Sequence, residues 1–551
     1  MAQSFQEMRR LKRQLGPTWN VFFGGFGSLT PVQHEAIPLL LQGLDCVIAS
    51  PTASGKTEAA LAPLLARLMA NGGELPAPCL LYIIPTRALV ADMERRFAAA
   101  FTELGLTAAF RTADNPHIPE GFVQLLFTTP ESLDSLLCRV PGVWANVRAI
   151  VLDELHLLDN GYRGDQVRLL LRRLELDWLG DKPQKVILSA TLQNPTELAQ
   201  RYTLEEARVV VEGEPRSLNF ATVRTLAEAL ERCKAEKRHK ALIFCNSRKE
   251  CETLAEQAVQ KRLWPYDGVF VHHGSLSRTE RVETEAGFRE KKGAICFATT
   301  TLELGVDIGD VSAAIMYRPP HDASSFMQRL GRACRRERAV FALGVALVDG
   351  DEELFDEYRQ FARDSLQETI DYSPDYSVVV QQLLSLLFAR PQGIDTDRLL
   401  EYVSPLCSDD VFAAIVDKLA MDGFILRRGA LLQATERTMD LGEKGEVHSN
   451  IADEQTVQVV DSATGRKLGE MSTWGGAEGT IALAGRVWTI TGRDQGKLVV
   501  SASGDAPRTG SFARRQHGGK YVYLLPPEVQ ALMRHPMEVE RGPQGPSRRT
   551  I

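Results

Sequence analysis

At 551 residues, with 71 Asp+Glu against 64 Lys+Arg, the chain is too long for one core and carries a formal net charge of -7. Its length suggests roughly three to five domains, and the acidic balance excludes a histone-like binder held by bulk charge while leaving room for a local basic groove. No apolar run is long enough to span a bilayer, the N-terminus lacks the apolar stretch of a secretory signal, and nine scattered cysteines without a C-x-x-C pair argue against a structural zinc or iron–sulfur site and for a reducing, cytoplasmic compartment.

Residues 1–15 read as a short amphipathic helix on which Arg9, Arg10, Lys12 and Arg13 form a solvated face. The apolar run 44–49 reads as a buried strand, followed by a small-residue turn, then Gly55-Lys56-Thr57, then helix formers. That layout is a phosphate-binding loop at a helix N-terminus, where backbone N–H groups cradle phosphate oxygens. Ser50 stands where the usual first glycine would be, and a short residue can still make that turn. Ser54, Gly55, Lys56 and Thr57 are the candidate ATP-binding residues. Lys56 is expected to reach the β/γ-phosphates, and the Thr57 hydroxyl to hold Mg²⁺.

Further apolar runs at 80–84, 125–127, 150–152 and 186–188 alternate with helical stretches. Continuous apolar strands of this kind belong to a parallel sheet covered on both faces. The run 150–152 ends in Asp153-Glu154-Leu155-His156. At a strand end beside a phosphate loop, Asp153 is expected to hold Mg²⁺, largely through water, and Glu154 to deprotonate the attacking water. Alone, an Asp-Glu pair could equally be the dipole partner of a helix start; its place about a hundred residues after Lys56 favours the catalytic reading.

The pattern stops near Gly213-Glu214-Pro215 and restarts with runs at 241–244, 269–271, 294–297, 313–316 and 343–348. Two α/β domains therefore stand in tandem, 1–213 and 214–370, with a nucleotide in the cleft between them. Near the end of the second, Arg332 and Arg335 lie three apart on an expected helical turn, placed to project into the cleft and stabilise the departing γ-phosphate. Gln328 could help place the water.

Beyond residue 371 the character changes. Helical stretches at 378–388, 396–402 and 411–421 precede an alternating hairpin at 423–432, which suggests a winged-helix module over 371–440, with a generic helical bundle as the alternative. Short strands at 457–460, 480–483, 486–491, 497–500 and 521–525 suggest a β-rich domain over 441–535. Trp474 and Trp488 there are either stacking platforms or core residues. Residues 536–551, rich in Pro, Arg and Gly, read as a disordered tail.

Taken as an ordered set, these motifs resemble those of superfamily 2 helicases of the DExH type, over about residues 25–350. Leu29-Thr30-Pro31-Val32-Gln33 resembles the adenine-reading Q motif, which would place Gln33 at the base edge. Pro85-Thr86-Arg87 and Thr129-Pro130-Glu131 resemble strand-gripping motifs, and Ser189-Ala190-Thr191 the motif that couples hydrolysis to domain movement. Phe244-Cys245-Asn246-Ser247-Arg248, His273-Gly274-Ser275, and Ala298-Thr299-Thr300 through Asp307 resemble second-domain motifs. The resemblance implies RecA-like domains, nucleic-acid contacts by Arg87, Thr129, Arg248 and Thr299, and Asp307 near the ribose. The loop form PTASGKTEAA, the strings DELH and FCNSR, and the segments 447–451 and 483–488 are similar to the Lhr (large helicase-related) group. That group's pattern implies ATP and Mg²⁺ as cofactors, 3′-to-5′ movement on single-stranded DNA, and duplex DNA or an RNA–DNA hybrid as the substrate. An RNA helicase, or a strand clamp that does not unwind, remains the alternative.

Overall fold

A computed structural model describes the chain apart from residues 1, 27, 51–53, 71–74, 118–122, 141, 160, 181, 190–194, 203, 205–206, 212–216, 274–277, 300–301, 303–307, 321–322, 335–336, 338, 365–371, 452–455, 463–466, 473–479, 484–485, 495–496, 503–517 and 534–551. The expectations for Ala190, Thr191, Gly274, Ser275, Thr300, Asp307, Arg335, Trp474 and the tail lie outside the described residues.

The first lobe is built on strands β1 (Cys46–Ala49), β2 (Leu80–Ile83), β3 (Ala108–Arg111), β4 (Leu125–Thr128), β5 (Ala149–Leu152), β6 (Gln184–Ser189) and β7 (Arg208–Val211), in the order β3-β4-β2-β5-β6-β1-β7. All their pairings are parallel. The continuous apolar runs have a direct cause. Successive side chains leave a strand on opposite faces, and each face has its own core. Cys46, Ile48, Leu80, Tyr82 and Val151 enter one core, while Val47, Leu81, Ile83, Ile150 and Leu152 enter the other.

The second lobe holds β8 (Ser217–Val223), β9 (Lys240–Phe244), β10 (Val269–His272), β11 (Ala294–Ala298), β12 (Ala313–Tyr317) and β13 (Ala339–Val345), in the order β10-β11-β9-β12-β13-β8 and again parallel throughout. At the C-terminal ends of several strands the chain turns directly into a helix through a hydroxyl cap. Thr86, Thr129, Thr225 and Ser247 accept hydrogen bonds from the N–H groups of Leu89, Ser132, Glu228 and Glu250 at 3.2 to 3.4 Å. Such caps satisfy donors that a helix start leaves open.

After the second lobe, helices Ser377–Ala389, Thr396–Val403 and Asp409–Met421 surround β14 (Ile394–Asp395), β15 (Ile425–Arg428) and β16 (Leu431–Ala434), which form the antiparallel sheet β14-β16-β15. This module packs on the first lobe. Val379, Leu383 and Tyr402 share a core cluster with Leu169 of the helix Tyr162–Asp177. The last sheet contains β17 (Thr456–Asp461), β18 (Lys467–Ser472), β19 (Thr480–Leu483), β20 (Arg486–Asp494) and β21 (Lys497–Ala502), in the order β18-β17-β21-β20-β19. Trp488 lies on β20 opposite Ile481. The strand expected at 521–525 is instead a 3-10 turn, Lys520–Leu524, in which Tyr521, Leu524 and Leu525 return to the helical module's core. Apolar spacing alone does not separate a short strand from a tight turn that buries the same side chains.

The contact between module and first lobe centres on Asp134, which is fully buried. Its carboxylate accepts from Arg173 at 3.4 Å, His448 Nδ1 at 3.1 Å and Gln381 at 3.1 Å, and from Ser385 and Gln382. Asp134, Cys138 and His448 place metal-type atoms within 4.8 Å of one another. Arg173 also reaches the Cys138 sulfur at 3.6 Å, so a guanidinium already balances this cluster. It is a structural polar hub rather than a cation site.

Candidate functional site

In open parallel α/β sheets ligands bind beyond the carboxyl ends of the strands. Here the expected site residues gather at that edge. β1 leads into the loop of which Ser50, Ser54 and Gly55 are described, and Lys56 opens the helix Lys56–Met69. Gly55 caps this helix at φ +87°. The position needs glycine for its conformation, and a Cβ there, 2.2 Å from Gln33 Nε2, would push the Gln33 amide aside. Lys56 is buried, and its ammonium donates to the Ser50 carbonyl at 2.5 Å and lies 4.0 Å from Glu154.

β5 delivers Asp153 and Glu154. The Asp153 N–H is fixed to Ile83 on β2 at 2.9 Å. Glu154 sits at φ +41°, in the left-handed region, and its N–H donates to Asp153 Oδ1 at 2.9 Å. A non-glycine residue held there costs local strain and fixes the aim of its side chain. His156 Nδ1 lies 3.5 Å from Glu154 Oε2.

Arg332 of the second lobe is buried, and its charge lowers the pKa of both Glu154 and His156. It follows the helix Ala323–Leu330 in a turn, so the helical spacing expected for Arg332 and Arg335 does not apply at Arg332. Gln328 is half-buried on that helix.

The charges divide the two carboxylates. Burial and the neighbouring Glu154 charge push Asp153 up, against Lys56. Burial alone would raise Glu154 too, but Lys56, His156 and Arg332 outweigh it and hold Glu154 below its ordinary value. Burial lowers His156, with Lys56 and Arg332 adding to it against Glu154. Glu154 is thus the ionised member, as a base requires.

Two buried atoms at this edge, Ser54 Oγ and Glu154 Oε2, have no hydrogen-bond partner among the described residues. Buried polar atoms are normally satisfied. Together with the capped helix N-terminus, the lysine and the carboxylates, they fit a nucleotide phosphate chain and its cation, with Thr57 and Asp153 as the oxygen donors.

Gln33 is placed differently from a residue free to read a base. It completes a capping box with Thr30, its Oε1 accepting from Thr30 N at 2.9 Å and its Nε2 donating to Gly55 O at 3.3 Å. Thr30 in turn donates to Ser54 O at 2.8 Å. In this structure the segment braces the phosphate loop.

The expected strand-gripping residues lie along the same edge of both sheets. Arg87 starts the helix Arg87–Glu103 after β2, is exposed, and pairs with Asp114 at 2.7 Å. Thr129 follows β4, buried as a helix cap. Arg248 is exposed at the start of the helix Arg248–Gln260 after β9, and Thr299 follows β11 half-buried. Sequence reasoning missed the ion pair across the lobes, Arg95 to Glu285 at 3.2 Å, flanked by Asp92 and by His272 at 3.1 Å from Glu285. It also missed the Asp134 hub; the one signal was the i, i+4 spacing of Asp134 and Cys138, which carries no partner information.

Residues 30–198 match the DEAD/DEAH box helicase family and residues 221–337 the helicase conserved C-terminal domain, between them just over half of the 551 residues. The chain is 28% identical over 392 residues to the ATP-dependent helicase Lhr-Core of Saccharolobus solfataricus, covering 63% of this chain and 44% of that one. It is 29% identical over 417 residues to Lhr-Core of Sulfolobus acidocaldarius, covering 68% and 47%. The chain thus spans about half the length of the curated relatives it matches. Among solved structures, the Mycobacterium smegmatis helicase Lhr bound to ssDNA and AMP-PNP superposes with a TM-score of 0.66 at 23% identity, covering 80% of this chain and 62% of that one. The DUF1998 helicase MrfA bound to DNA gives 0.61 at 22% identity, covering 88% and 69%. Among the described residues, no helix is long and apolar enough to cross a membrane.

Proposed function

The chain belongs to the superfamily 2 helicases of the DExH type, similar to the Lhr group, and from that premise we propose that it is an ATP-driven translocase on single-stranded DNA. It moves 3′ to 5′ and separates DNA duplexes or RNA–DNA hybrids. The observation that carries this reading is the convergence of Lys56 and Glu154 from one lobe with Arg332 from the other. A site completed only by both lobes converts nucleotide turnover into relative movement.

ATP is the substrate, and its phosphates would draw the Lys56 ammonium from the Ser50 carbonyl. Glu154 would take a proton from the attacking water as that oxygen bonds the γ-phosphorus and the bond to the β,γ-bridging oxygen breaks. Arg332, with Arg335, would stabilise charge on the transferred group. Mg²⁺, held by Thr57 and Asp153, would neutralise the β- and γ-oxygens when bound. Gln328 would help orient the water.

Arg87, Thr129, Arg248 and Thr299 would hold strand phosphates across both sheets, giving weak sequence preference and a strong salt dependence. The module 371–440 acts as a winged helix that braces the motor, and the β-rich sheet that follows is an accessory domain. The bond from Gln33 to Gly55 O supports a second duty for the Q-like segment, transmitting base occupancy to the phosphate loop. Nine free cysteines, eight of them buried, suit a reducing cytoplasm.

The test is ATP-dependent displacement from matched duplexes with 3′ or 5′ tails and a DNA or RNA loading strand. Displacement from the 3′ DNA tail is expected. Activity confined to RNA tails would move the protein to RNA metabolism, and hydrolysis without displacement would make it a strand clamp.

A further inference from the structure

The two lobes meet through an ion pair that the chemistry of the nucleotide site does not use. Arg95, on the helix Arg87–Glu103 of the first lobe, donates through Nη1 to Glu285 Oε2 at 3.2 Å, and Glu285 lies on the helix Arg278–Glu290 of the second. Each partner has a further hold on its own lobe. Arg95 also donates to Asp92, which is buried. Glu285 Oε1 lies 3.1 Å from His272 Nε2 at the end of β10. Burial alone would raise the Glu285 carboxyl, but its bonds with His272 and Arg95 hold it below its ordinary value, so the acid is ionised at neutral pH.

Both ends of the pair are rooted near the working parts of the motor. Asp92 also faces Arg96 at 3.7 Å, and Arg96 donates at 2.8 Å to Glu58, in the first turn of the helix that Lys56 opens. On the other side, the His272 carbonyl accepts from the N–H of Thr299, an expected strand contact, at 3.3 Å. Charge thus alternates from Glu58 through Arg96, Asp92 and Arg95 to Glu285. An isolated surface pair contributes little, but this one belongs to a network and its Glu285 side chain is only 11% exposed. Breaking an ordinary buried pair leaves a charge uncompensated at a heavy cost. Here, parting leaves Arg95 with Asp92 and Glu285 with His272. The contact is built to open without stranding a charge.

We propose that Arg95 and Glu285 form a reversible clasp: they position the second lobe in the closed arrangement that brings Arg332 to the nucleotide site, and they part when the cleft opens to release nucleotide. The inference rests on the reading of a nucleotide site completed by both lobes. Neither residue touches nucleotide or strand on this account. The pair acts on the balance between closed and open lobes, and so on how long a bound nucleotide stays enclosed.

The experiment follows release of a fluorescent, non-hydrolysable ATP analogue from the full chain in Mg²⁺ and single-stranded DNA, chased with excess ATP in stopped flow. Wild type is compared with Arg95→Met, Glu285→Gln and the double variant. Met keeps the length of the Arg95 side chain, and Asp92 keeps Arg96. Each single variant is expected to release the analogue about fivefold faster, the upper end for a partly exposed pair. The double variant is expected to match the singles, since either change removes the same contact. Association, which begins at the phosphate loop of the first lobe, is expected to stay at the wild-type rate. Unchanged release in the single variants would overturn the proposal. A double variant whose effect is the product of the two singles would also overturn it, because the residues would then act independently. Slower association that accounts for all the lost affinity would overturn it as well, as the mark of a damaged first lobe. A wild-type chain that binds the magnesium–nucleotide complex yet never displaces a strand contradicts the translocase reading and leaves the release rates valid.

Discussion

Replacing Asp134 by Asn should undock the helical module from the first lobe. The substitution keeps the shape and removes the charge. Asp134 is fully buried, and Arg173, itself only 3% exposed, has its guanidinium 3.4 Å away. Burial alone would raise the Asp134 pKa, but Arg173 and His448 hold it well below the usual carboxylate range. Removing one member of such a pair leaves the other buried and uncompensated, at a cost of about 3–5 kcal/mol. Whichever way it turned, the Asn amide nitrogen would also face donors, either Gln381 and Gln382 on one side or Ser385 on the other, which now donate to the carboxylate. Against a domain stability of about 5–15 kcal/mol, that is enough to separate module from motor before either unfolds. Urea unfolding followed by limited proteolysis of the segment before Ser377 would read this as early cleavage and a lower midpoint. The double variant Asp134→Asn/Arg173→Gln should recover part of the loss. A single variant within about 1 kcal/mol of wild type would refute the reasoning, since no buried ion pair would then hold the interface.

Other consequences can be measured independently. Burial alone would lower the His448 pKa, but the bond to Asp134 and its charge raise it to about 9. The raised value means the protonated form stabilises docking, fully below the unfolded value near 6.5 and lost as pH rises through about 9; His448→Gln should flatten urea midpoints between those limits. Arg332→Ala should reduce strand-stimulated hydrolysis by about 10³-fold or more while nucleotide binding persists, as measured by steady-state turnover and equilibrium binding. Gly55→Ala should weaken nucleotide binding, because the φ of +87° strains any residue with a Cβ and the methyl group would displace the Gln33 amide from Gly55 O; unchanged affinity would show that the loop is free to move.

The sheets were legible because a strand buried on both faces needs an unbroken apolar run. The runs at 150–152 and 241–244 lie within β5 and β9. Strands at the margins escaped. β7, with a burial pattern in which Val210 alone is buried, and β8, mostly half-exposed, lack the continuous signal, so the second lobe begins earlier in the chain than its apolar runs suggest. The placement of Lys56 at a helix start and of Asp153-Glu154 at the end of β5 was legible because the residues that set it are local in sequence. The Arg95–Glu285 pair and the Asp134 hub were not, since each depends on residues brought together from distant segments. The role of Gln33 shows the same limit: residue type fixes which hydrogen bonds it can make, and only the fold shows that Thr30 and Gly55 receive them here.

The most direct measurement is steady-state ATP hydrolysis by the wild-type chain and its Glu154→Gln variant, each with and without single-stranded DNA, alongside equilibrium binding of ATP and strand. The expected result is strand-stimulated turnover that falls by about 10²- to 10⁴-fold in the variant, with both ligands still bound. Turnover near the wild-type rate in Glu154→Gln would contradict the account, because the base would then lie elsewhere and the convergence of Lys56, Glu154 and Arg332 would not be the catalytic centre.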